Sequence, residues 1–339
     1  MIRIMEVCGT HTMEIARAGI RGLLPEGVRL VSGPGCPVCV TSPGTIDAVL
    51  ELASLKGITI ATYGDMMRVP GSTRGDTLLA RRTKGADVRM VYSALDAVEI
   101  AKKEPAREVV FLGVGFETSA PGTAYAVEAA AKENVQNFSV FSMLKLLEPS
   151  VRALAADPAF HINAFLAPGH VAVILGEDGL RFFEKLGFPA VISGFEPEEI
   201  ARAITMLLKQ IKAGEARLEN AYPSVVTKTG NTKAREVIDR YLAPRTDNWR
   251  GLGRIADSGL GIRDAYAAYD AEKKYGIRIT EPALKSACRC GEVIQGKLEP
   301  VQCPLFGKGC DPENPEGPCM VSAEGACAAA YRYRGMNNG

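Results

Sequence analysis

Nine cysteines are the residues of this chain whose type and spacing could carry chemistry. Cys8, Cys36 and Cys39 lie near the start, and the other six fall between residues 288 and 327. Thiolates act as nucleophiles, as redox groups and as soft metal ligands. An odd number of cysteines cannot pair completely within one chain, so metal, cluster or redox chemistry is the leading interpretation.

The six late cysteines lack the paired hooks of a compact zinc site, although a zinc knuckle remains the alternative. Between successive members lie 1, 12, 6, 8 and 7 residues, and these loops are rich in Pro and Gly. Four thiolates on such loops can hold a [4Fe–4S] cluster, which leaves two thiols over. In an extended C-x-C pair the side chains point to opposite sides, so one thiol can bind a metal while the other belongs to a separate dithiol. The six are Cys288, Cys290, Cys303, Cys310, Cys319 and Cys327.

Cys36 and Cys39 form a C-P-V-C motif directly after the strand-like run R-L-V-S. A C-x-x-C at the end of a strand is typical of thioredoxin-like redox motifs, in which the first thiol has a lowered pKa. The motif predicts a reversible disulfide. A half zinc site and two inert thiols are the alternatives.

Cys8 lies three residues before His11, with Gly9 between them. A thiolate and an imidazole are ligands that suit iron, and a glycine lets the backbone approach a ligand closely. This spacing predicts an iron site at Cys8 and His11. The alternative is structural, with His11 capping a helix or satisfying a hydrogen bond in the core.

Strand-like and helical patterns alternate between the two groups of cysteines. Short apolar runs end near Gly or Pro, as buried parallel strands do, at residues 29–32, 57–62, 109–114, 164–167 and 190–193. Helical patterns follow at residues 45–56, 93–103, 122–133, 180–186, 198–214 and 262–275. The body of the protein is therefore predicted to consist of βα units, the α/β class.

Two similar phrases follow strand-like runs, Gly115-Phe116-Glu117 and Gly194-Phe195-Glu196. These echoes favour two related α/β halves with a boundary near residue 135. We expect an α/β domain at 1–134 that carries Cys8 and the C-P-V-C motif, a second at 135–220, and a Cys-rich domain at 221–339. Glu117, His170 and Glu196 follow strands, where α/β proteins place ligands, although a turn with a buried salt bridge explains them equally well.

The charge balance excludes an electrostatic footprint for nucleic acid or an anionic membrane, since Lys and Arg total 40 against 39 for Asp and Glu. No run approaches 18 apolar residues, and the start lacks a signal-peptide pattern. We expect a cytoplasmic protein, a compartment whose thiol pool disfavours structural disulfides.

Several phrases in their order, together with all nine cysteines, resemble the HypD family of [NiFe]-hydrogenase maturation proteins: MEVCGTHTMEI, GPGCPVC, FLGVGFETSAP, APGHV and SGFEP. The resemblance covers nearly the whole chain. Family members usually carry additional residues before MEVCGTHT, a difference expected to affect partner docking more than chemistry.

The resemblance implies two Rossmann-like parallel-sheet domains plus a Cys-rich iron–sulfur domain. It implies a scaffold on which iron acquires two cyanides and one carbonyl. The implied partners are a HypC-like chaperone and a HypE-like cyanide donor, and the protein is expected to be a monomer that forms transient complexes with them. Cys8 would be the iron-ligating thiol with His11 nearby, and Cys36 and Cys39 the redox pair. By similarity to ferredoxin:thioredoxin reductase, a [4Fe–4S] cluster falls to Cys288, Cys303, Cys310 and Cys327, and the relay dithiol to Cys290 and Cys319.

These roles predict that electrons pass from the cluster through the Cys290/Cys319 dithiol to a Cys36–Cys39 disulfide beside the iron site. One rival is a stand-alone, cluster-dependent thiol–disulfide reductase. Another is a structural zinc protein that acts only as an assembly platform.

Overall fold

The computed structural model of the chain describes residues 1–283 and 286–335. Its eleven strands within these residues include all five of the predicted apolar runs, each matched to within one residue at either end. They are β1 (Ile2–Glu6), β2 (Val28–Ser32), β3 (Ile58–Thr62), β4 (Asp87–Met90), β5 (Glu108–Gly115), β6 (Phe138–Lys145), β7 (Ala164–Pro168), β8 (Ala190–Ser193), β9 (Leu218–Asn220), β10 (Leu242–Trp249) and β11 (Gly253–Ile262).

The strands form two sheets. The first has the order β2-β1-β7-β8-β9 and is parallel throughout. The second has the order β10-β11-β6-β5-β3-β4; its β3, β4, β5 and β6 are parallel, and the β10–β11 hairpin joins β6 in antiparallel fashion. The α/β class with two parallel-containing sheets and a Cys-rich carboxy-terminal region is confirmed.

The helices cover the sheets. They are α1 (Gly9–Arg17), α2 (Pro37–Val40), α3 (Pro43–Leu52), α4 (Leu78–Thr83), α5 (Ala94–Lys103), α6 (Ala120–Lys132), α7 (Leu147–Ala155), α8 (Gly169–Leu180), α9 (Phe182–Lys185), α10 (Pro197–Ala213), α11 (Thr232–Tyr241), α12 (Ala271–Lys274), α13 (Cys290–Ile294), α14 (Pro318–Val321) and α15 (Ala326–Arg332). The continuous helix predicted at 262–275 is wrong, because β11 ends at Ile262 and a 3-10 helix, Asp264–Tyr269, precedes α12.

Helix α10 illustrates how the sequence specifies these elements. Pro197 occupies its first turn, and a capping box joins Glu196 and Glu199. Ile200, Ala203, Ile204 and Leu207 repeat at helical spacing and are buried. Gly214 ends the helix with φ 68°, a left-handed conformation that glycine adopts without strain. The apolar stripe therefore faces the first sheet.

The boundary expected near residue 134 does not separate the two sheets. The first sheet takes its strands from residues 2–32 and 164–220, and the second takes its strands from 58–145 and 242–262. Each sheet therefore draws on both sides of that boundary. The reason is that β1 inserts between β2 and β7, a long-range pairing that local patterns do not reveal.

The Cys-rich region lies against the α/β body through polar contacts. Ser322 Oγ donates to Asp65 Oδ2 at 2.7 Å, and Lys297 forms an ion pair with Asp157 at 2.5 Å. The expected third domain spans 221–339, of which residues 284–285 and 336–339 lie outside the described residues. No helix in the described ranges is long and apolar enough to cross a membrane.

Candidate functional site

The site lies at the carboxyl edge of the first sheet, where the loops after β1 and β2 meet. Cys8 follows β1, and Gly35 and Cys36 follow β2. The Gly9 N–H donates to the Gly35 carbonyl oxygen at 3.1 Å. A Cβ on Gly35 would lie only 2.2 Å from the Cys8 nitrogen, so the two loops pack backbone against backbone. The parallel pairing of β1 with β2 thus brings Cys8 beside the C-P-V-C motif.

Cys8 is buried at the start of α1. Burial raises the pKa of its thiol to about 11, and the charge of Glu324 adds to this, while the backbone N–H groups of His11 and Thr10 act in the opposite direction. Glu324 is held close by a hydrogen bond from Thr10 Oγ1 to its Oε1 at 2.7 Å. The free protein therefore keeps this thiol protonated at neutral pH, and metal binding must displace the proton.

His11 is completely buried in a neutral form. Its Nε2 lies 2.8 Å from the Gly194 carbonyl oxygen, which can only accept, so the ring proton is on Nε2. Nδ1 then carries a lone pair, and no group in the described part of the chain bonds to it. Burial lowers the pKa of the ring to about 4. A neutral imidazole with a free nitrogen is the form that binds iron.

An aromatic stack continues from His11 towards the surface. The His11 ring lies 4.7 Å from that of Phe195, which stacks on the His170 ring at 3.9 Å. His170 is exposed, whereas Glu196 serves as the N-cap of α10. The second Gly-Phe-Glu phrase therefore holds His11 through Gly194 and Phe195.

Glu117, from the first Gly-Phe-Glu phrase, follows β5 of the second sheet. It is buried, and its Oε1 accepts a hydrogen bond from the Leu147 N–H at 2.9 Å. Its other oxygen has no partner in the described residues. Burial raises the pKa of this carboxyl to about 7. The buried salt bridge considered for this phrase is absent at Glu117 within those residues.

The C-P-V-C motif forms the short helix α2, in which Cys36 and Cys39 are joined as a disulfide with Cα atoms 5.2 Å apart. Both residues are buried. The Cys39 sulfur lies 4.0 Å from the carbonyl oxygen of Pro318, the residue before Cys319. The C-P-V-C motif therefore contacts the segment directly before Cys319, so the two ends of the chain meet at this point.

Two of the late thiols lie against Gly317. A Cβ on this glycine would lie 3.2 Å from the Cys288 sulfur and 3.3 Å from the Cys290 sulfur. The Cys288–Cys290 hydrogen bond lowers the pKa of Cys290 and raises that of Cys288. Cys310 accepts a hydrogen bond from the Glu316 N–H at 3.3 Å. A side chain at residue 317 would fill the space between the sulfurs.

Cys319 and Cys327 form a second close pair. The Cys327 N–H donates to the Cys319 sulfur at 3.2 Å. Their mutual hydrogen bond lowers the pKa of the Cys319 thiol and raises that of Cys327. The structure thus pairs Cys319 with Cys327, and the assignment of Cys290 and Cys319 as a dithiol stays a prediction.

The six late cysteines supply soft thiolate donors that suit a bound metal group. Among residues 1–283 and 286–335, no three His, Cys, Asp or Glu side chains surround one metal position. Six thiols, with backbone N–H groups directed at two of them, match the thiolate ligands and hydrogen-bonded sulfurs of iron–sulfur sites. The Cys-rich region is thus compatible with metal binding.

Sequence reasoning missed several residues around the thiols. Lys145 forms a buried ion pair with Asp247 at 2.7 Å, and its Nζ lies 5.4 Å from the centre of the Trp249 ring. Arg250 bonds to the Thr41 carbonyl oxygen at 3.1 Å, beside the C-P-V-C helix. The available signal was the W-R-G-L-G segment at 249–253, which contains the single tryptophan of the chain in a polar stretch.

Comparisons with known proteins show the family to which the chain belongs. The family model HypD, described as "Hydrogenase formation hypA family", matches residues 1–334. The hydrogenase maturation factor HypD of Rhodobacter capsulatus is 45% identical over 98% of this chain and 90% of that protein. The corresponding factors of Azotobacter vinelandii and Escherichia coli K12 are each 44% identical over 98% of this chain and 89% of theirs. The chain belongs to the HypD family of hydrogenase maturation factors.

Proposed function

We propose that this protein is the scaffold and redox centre on which the iron unit of [NiFe]-hydrogenase, with two cyanides and one carbonyl, is assembled. Family membership implies interaction with other maturation proteins, and we propose a HypC-like chaperone and a HypE-like cyanide donor. The observation that carries the proposal is that the chain segments bearing Cys8, the C-P-V-C motif and Cys319 contact one another. Gly35 joins Cys8 to the C-P-V-C motif, and Cys39 lies 4.0 Å from the Pro318 oxygen.

In this proposal iron is the cargo, bound by Cys8 and His11. Metal binding takes the proton from the buried Cys8 thiol, whose pKa burial raises to about 11. His11 keeps its proton on Nε2 through Gly194 and directs Nδ1 as a ligand. Burial at both positions excludes water from the ligands while cyanide and carbonyl are added.

The late cysteines divide into two roles in this proposal. The ligands of a [4Fe–4S] cluster are Cys288, Cys303, Cys310 and Cys327, and a bound cluster supplies electrons one at a time from an external one-electron donor. Cys290 and Cys319 form the dithiol that collects two electrons. The contact between Cys39 and Pro318 supports Cys319 as the thiol that reaches the disulfide.

The exchange step is balanced within the chain. The Cys319 thiolate attacks the Cys39 sulfur, so that a mixed disulfide forms between Cys39 and Cys319 and the Cys36 thiolate is released. Cys290 then attacks the Cys319 sulfur and releases Cys39. The Cys36–Cys39 bond breaks, a Cys290–Cys319 bond forms, and two electrons and two protons pass to the early pair.

Infrared spectroscopy tests the scaffold role. Protein purified anaerobically with its chaperone is expected to give C≡N and C≡O stretching bands, and Cys8→Ala is expected to lose them. His161→Ala, at a position on the protein surface, is the matched control and should keep them. Bands that persist at full intensity in Cys8→Ala would remove this thiol from its role.

Trapping of the mixed disulfide tests the relay separately. The double variant Cys36→Ser/Cys290→Ser keeps Cys319, which attacks, and Cys39, which is attacked. It lacks Cys36 and Cys290, the two thiols that could resolve the mixed disulfide. Mild oxidation is expected to link Cys39 to Cys319, detected as a linked peptide by mass spectrometry. Linkage of Cys39 to other thiols in preference to Cys319 would contradict the relay.

The buried disulfide argues against the rival reductase. Cys36 is 5% exposed and Cys39 is 2% exposed, so a protein substrate cannot reach them without movement of the chain. Metal and sulfide analysis after anaerobic purification separates the remaining cases. The proposal requires iron beyond that of the cluster, the reductase requires cluster iron alone, and a zinc platform requires zinc without sulfide.

A further inference from the structure

Residues 249–251, which are the last residue of β10 and the first two of the turn to β11, contact the C-P-V-C helix. Trp249 forms an isolated antiparallel bridge with Thr41, and the Arg250 N–H donates to the Val40 carbonyl oxygen at 2.8 Å. Arg250 Nε donates to the Thr41 carbonyl oxygen at 3.1 Å. The last carbonyl groups of a helix have no partner within it, so this turn supplies the donors that α2 lacks.

The opposite side of the same turn contacts the helix that begins at Cys290. Gly251 adopts φ 82°, and a Cβ on it would lie 2.6 Å from the Gly291 Cα. A Cβ on Gly291 would lie 2.9 Å from the Gly251 Cα. Gln295 Nε2 also donates to the Gly251 carbonyl oxygen. With no side chain between them, the two backbones set a fixed spacing between the turn and α13.

Arg250 places a buried charge between the two thiol pairs. Only 8% of the residue is exposed, and within the described ranges it forms no ion pair with a carboxylate; its Nε donates to the Thr41 carbonyl oxygen. The Cys288 hydrogen bond and the nearby charge of Arg250 both lower the pKa of Cys290. A buried guanidinium without an anion is costly. Negative charge on the late thiols or on a group they bind is the available compensation.

We propose that residues 249–251 are a positioning element that holds the Cys36–Cys39 pair against the Cys290 helix, with Arg250 as the charged link between them. This inference rests on the proposed relay. The turn touches no transferred atom. It aligns the step in which the Cys290/Cys319 dithiol gives two electrons and two protons to the Cys36–Cys39 disulfide.

The spacing is tested with Gly291→Ala, whose added methyl group meets the Gly251 backbone. Gly309→Ala is the matched control, because its Cβ would lie 3.6 Å from the Leu305 side chain, an ordinary contact. Cluster-loaded full-length protein receives excess one-electron reductant anaerobically, and reduction of the Cys36–Cys39 disulfide is followed by alkylation and mass spectrometry. The backbones must separate by about 0.5 Å to reach an ordinary contact near 3.4 Å. Since a displacement near 1 Å at a reacting pair costs up to about 100-fold, we expect Gly291→Ala to be slower by about 10-fold.

The charge is tested with Arg250→Met and Arg250→Lys. We expect Arg250→Met to slow the same reduction and to shift the cluster midpoint potential downwards, because removal of a cation disfavours the added electron. Arg250→Lys keeps the charge and should restore the potential, a rescue that a purely packing role would not give. Visible absorption and sulfide content report whether each variant retains its cluster.

Each outcome decides between the two proposals. If the unchanged protein fails to transfer electrons to Cys36–Cys39, the relay itself is refuted, and this inference falls with it. If the unchanged protein transfers but Gly291→Ala and Arg250→Met match the Gly309→Ala control in rate and potential, the inference alone is overturned. If the two variants lose their cluster, Arg250→Lys decides. An Arg250→Lys protein with the rate and potential of the control supports the charged link, whereas one that is as impaired as Arg250→Met overturns it.

Discussion

Replacing Gly35 with alanine tests whether the close approach of the two early loops is necessary for the site. The glycine is not among those with positive φ, so alanine can adopt its backbone conformation. Its Cβ would lie 2.2 Å from the Cys8 nitrogen and 2.4 Å from the Val7 carbonyl carbon. Both neighbours are backbone atoms, so neither can rotate away as the end of a flexible side chain would.

The size of the displacement follows from these distances. Ordinary contacts of a Cβ begin near 3.4 Å, so the loops must separate by about 1.2 Å. Overpacking of this kind costs about 1–3 kcal/mol of stability, which a chain of this size tolerates. The effect on chemistry is larger, since a shift near 1 Å at a reacting centre costs up to about 100-fold.

The assay compares Gly35→Ala with Gly122→Ala under anaerobic conditions. A Cβ on Gly122 meets nothing within 4 Å, and this residue lies within α6, where alanine is favoured over glycine by about 1 kcal/mol. Urea unfolding gives the stability of each variant, and infrared bands and bound iron give the state of the site. We expect the control to keep its bands and Gly35→Ala to lose most of them while it remains folded.

A folded Gly35→Ala protein with the bands and iron content of the control would refute the reasoning. It would mean that the spacing of Cys8 and Cys36 is not what holds the iron unit.

Two further predictions concern buried charges. Glu117→Gln should remove a pH dependence of stability: burial raises the pKa of this carboxyl from 4.5 to about 7, so its stabilisation is complete below pH 4.5 and falls by about 3 kcal/mol as the pH rises through 7. Urea unfolding of the unchanged protein and of Glu117→Gln from below pH 4.5 to above pH 7 measures this, through the difference between their unfolding free energies. The difference is needed because His11, whose pKa is lowered to about 4, makes both proteins more stable as the pH rises. Equal pH dependence in the two proteins would contradict the prediction. Asp247→Ala should leave Lys145 buried without its partner and cost about 3–5 kcal/mol in urea unfolding. Adding Lys145→Met should recover part of that loss, and a failure to recover any would show that Asp247 acts through other contacts.

The α/β body could be read from local patterns. Runs such as residues 109–114 are apolar on both faces because β5 is covered on both sides, and helices such as α10 carry their own caps and stripe. The strands that were missed have weaker local signals. β1 is short and mixed in character, and the β10–β11 hairpin is polar over much of its length.

The candidate site, like the fold, could be predicted from the sequence only in part. The types and spacing of Cys8, Cys36 and Cys39, and the six-cysteine tail, identified the residues with chemical potential, because thiol chemistry depends on residue type. Their roles as iron ligand, cluster ligands and relay remain predictions. The contacts of Glu324 with Thr10, Arg250 with Thr41 and Gly194 with His11 were not foreseen, since each joins residues that are far apart in sequence.

The sequence by itself determined the α/β class, five of the eleven described strands and which side chains can bind metal or carry electrons, because these follow from local composition and residue type. Only the tertiary structure decided which of those side chains meet. The insertion of β1 between β2 and β7 sets Cys8 beside Cys36, and the packing of α14 on α2 sets Pro318 against Cys39. Such pairings depend on how sheets and helices bury their apolar faces together, a property of the whole chain that no single segment contains.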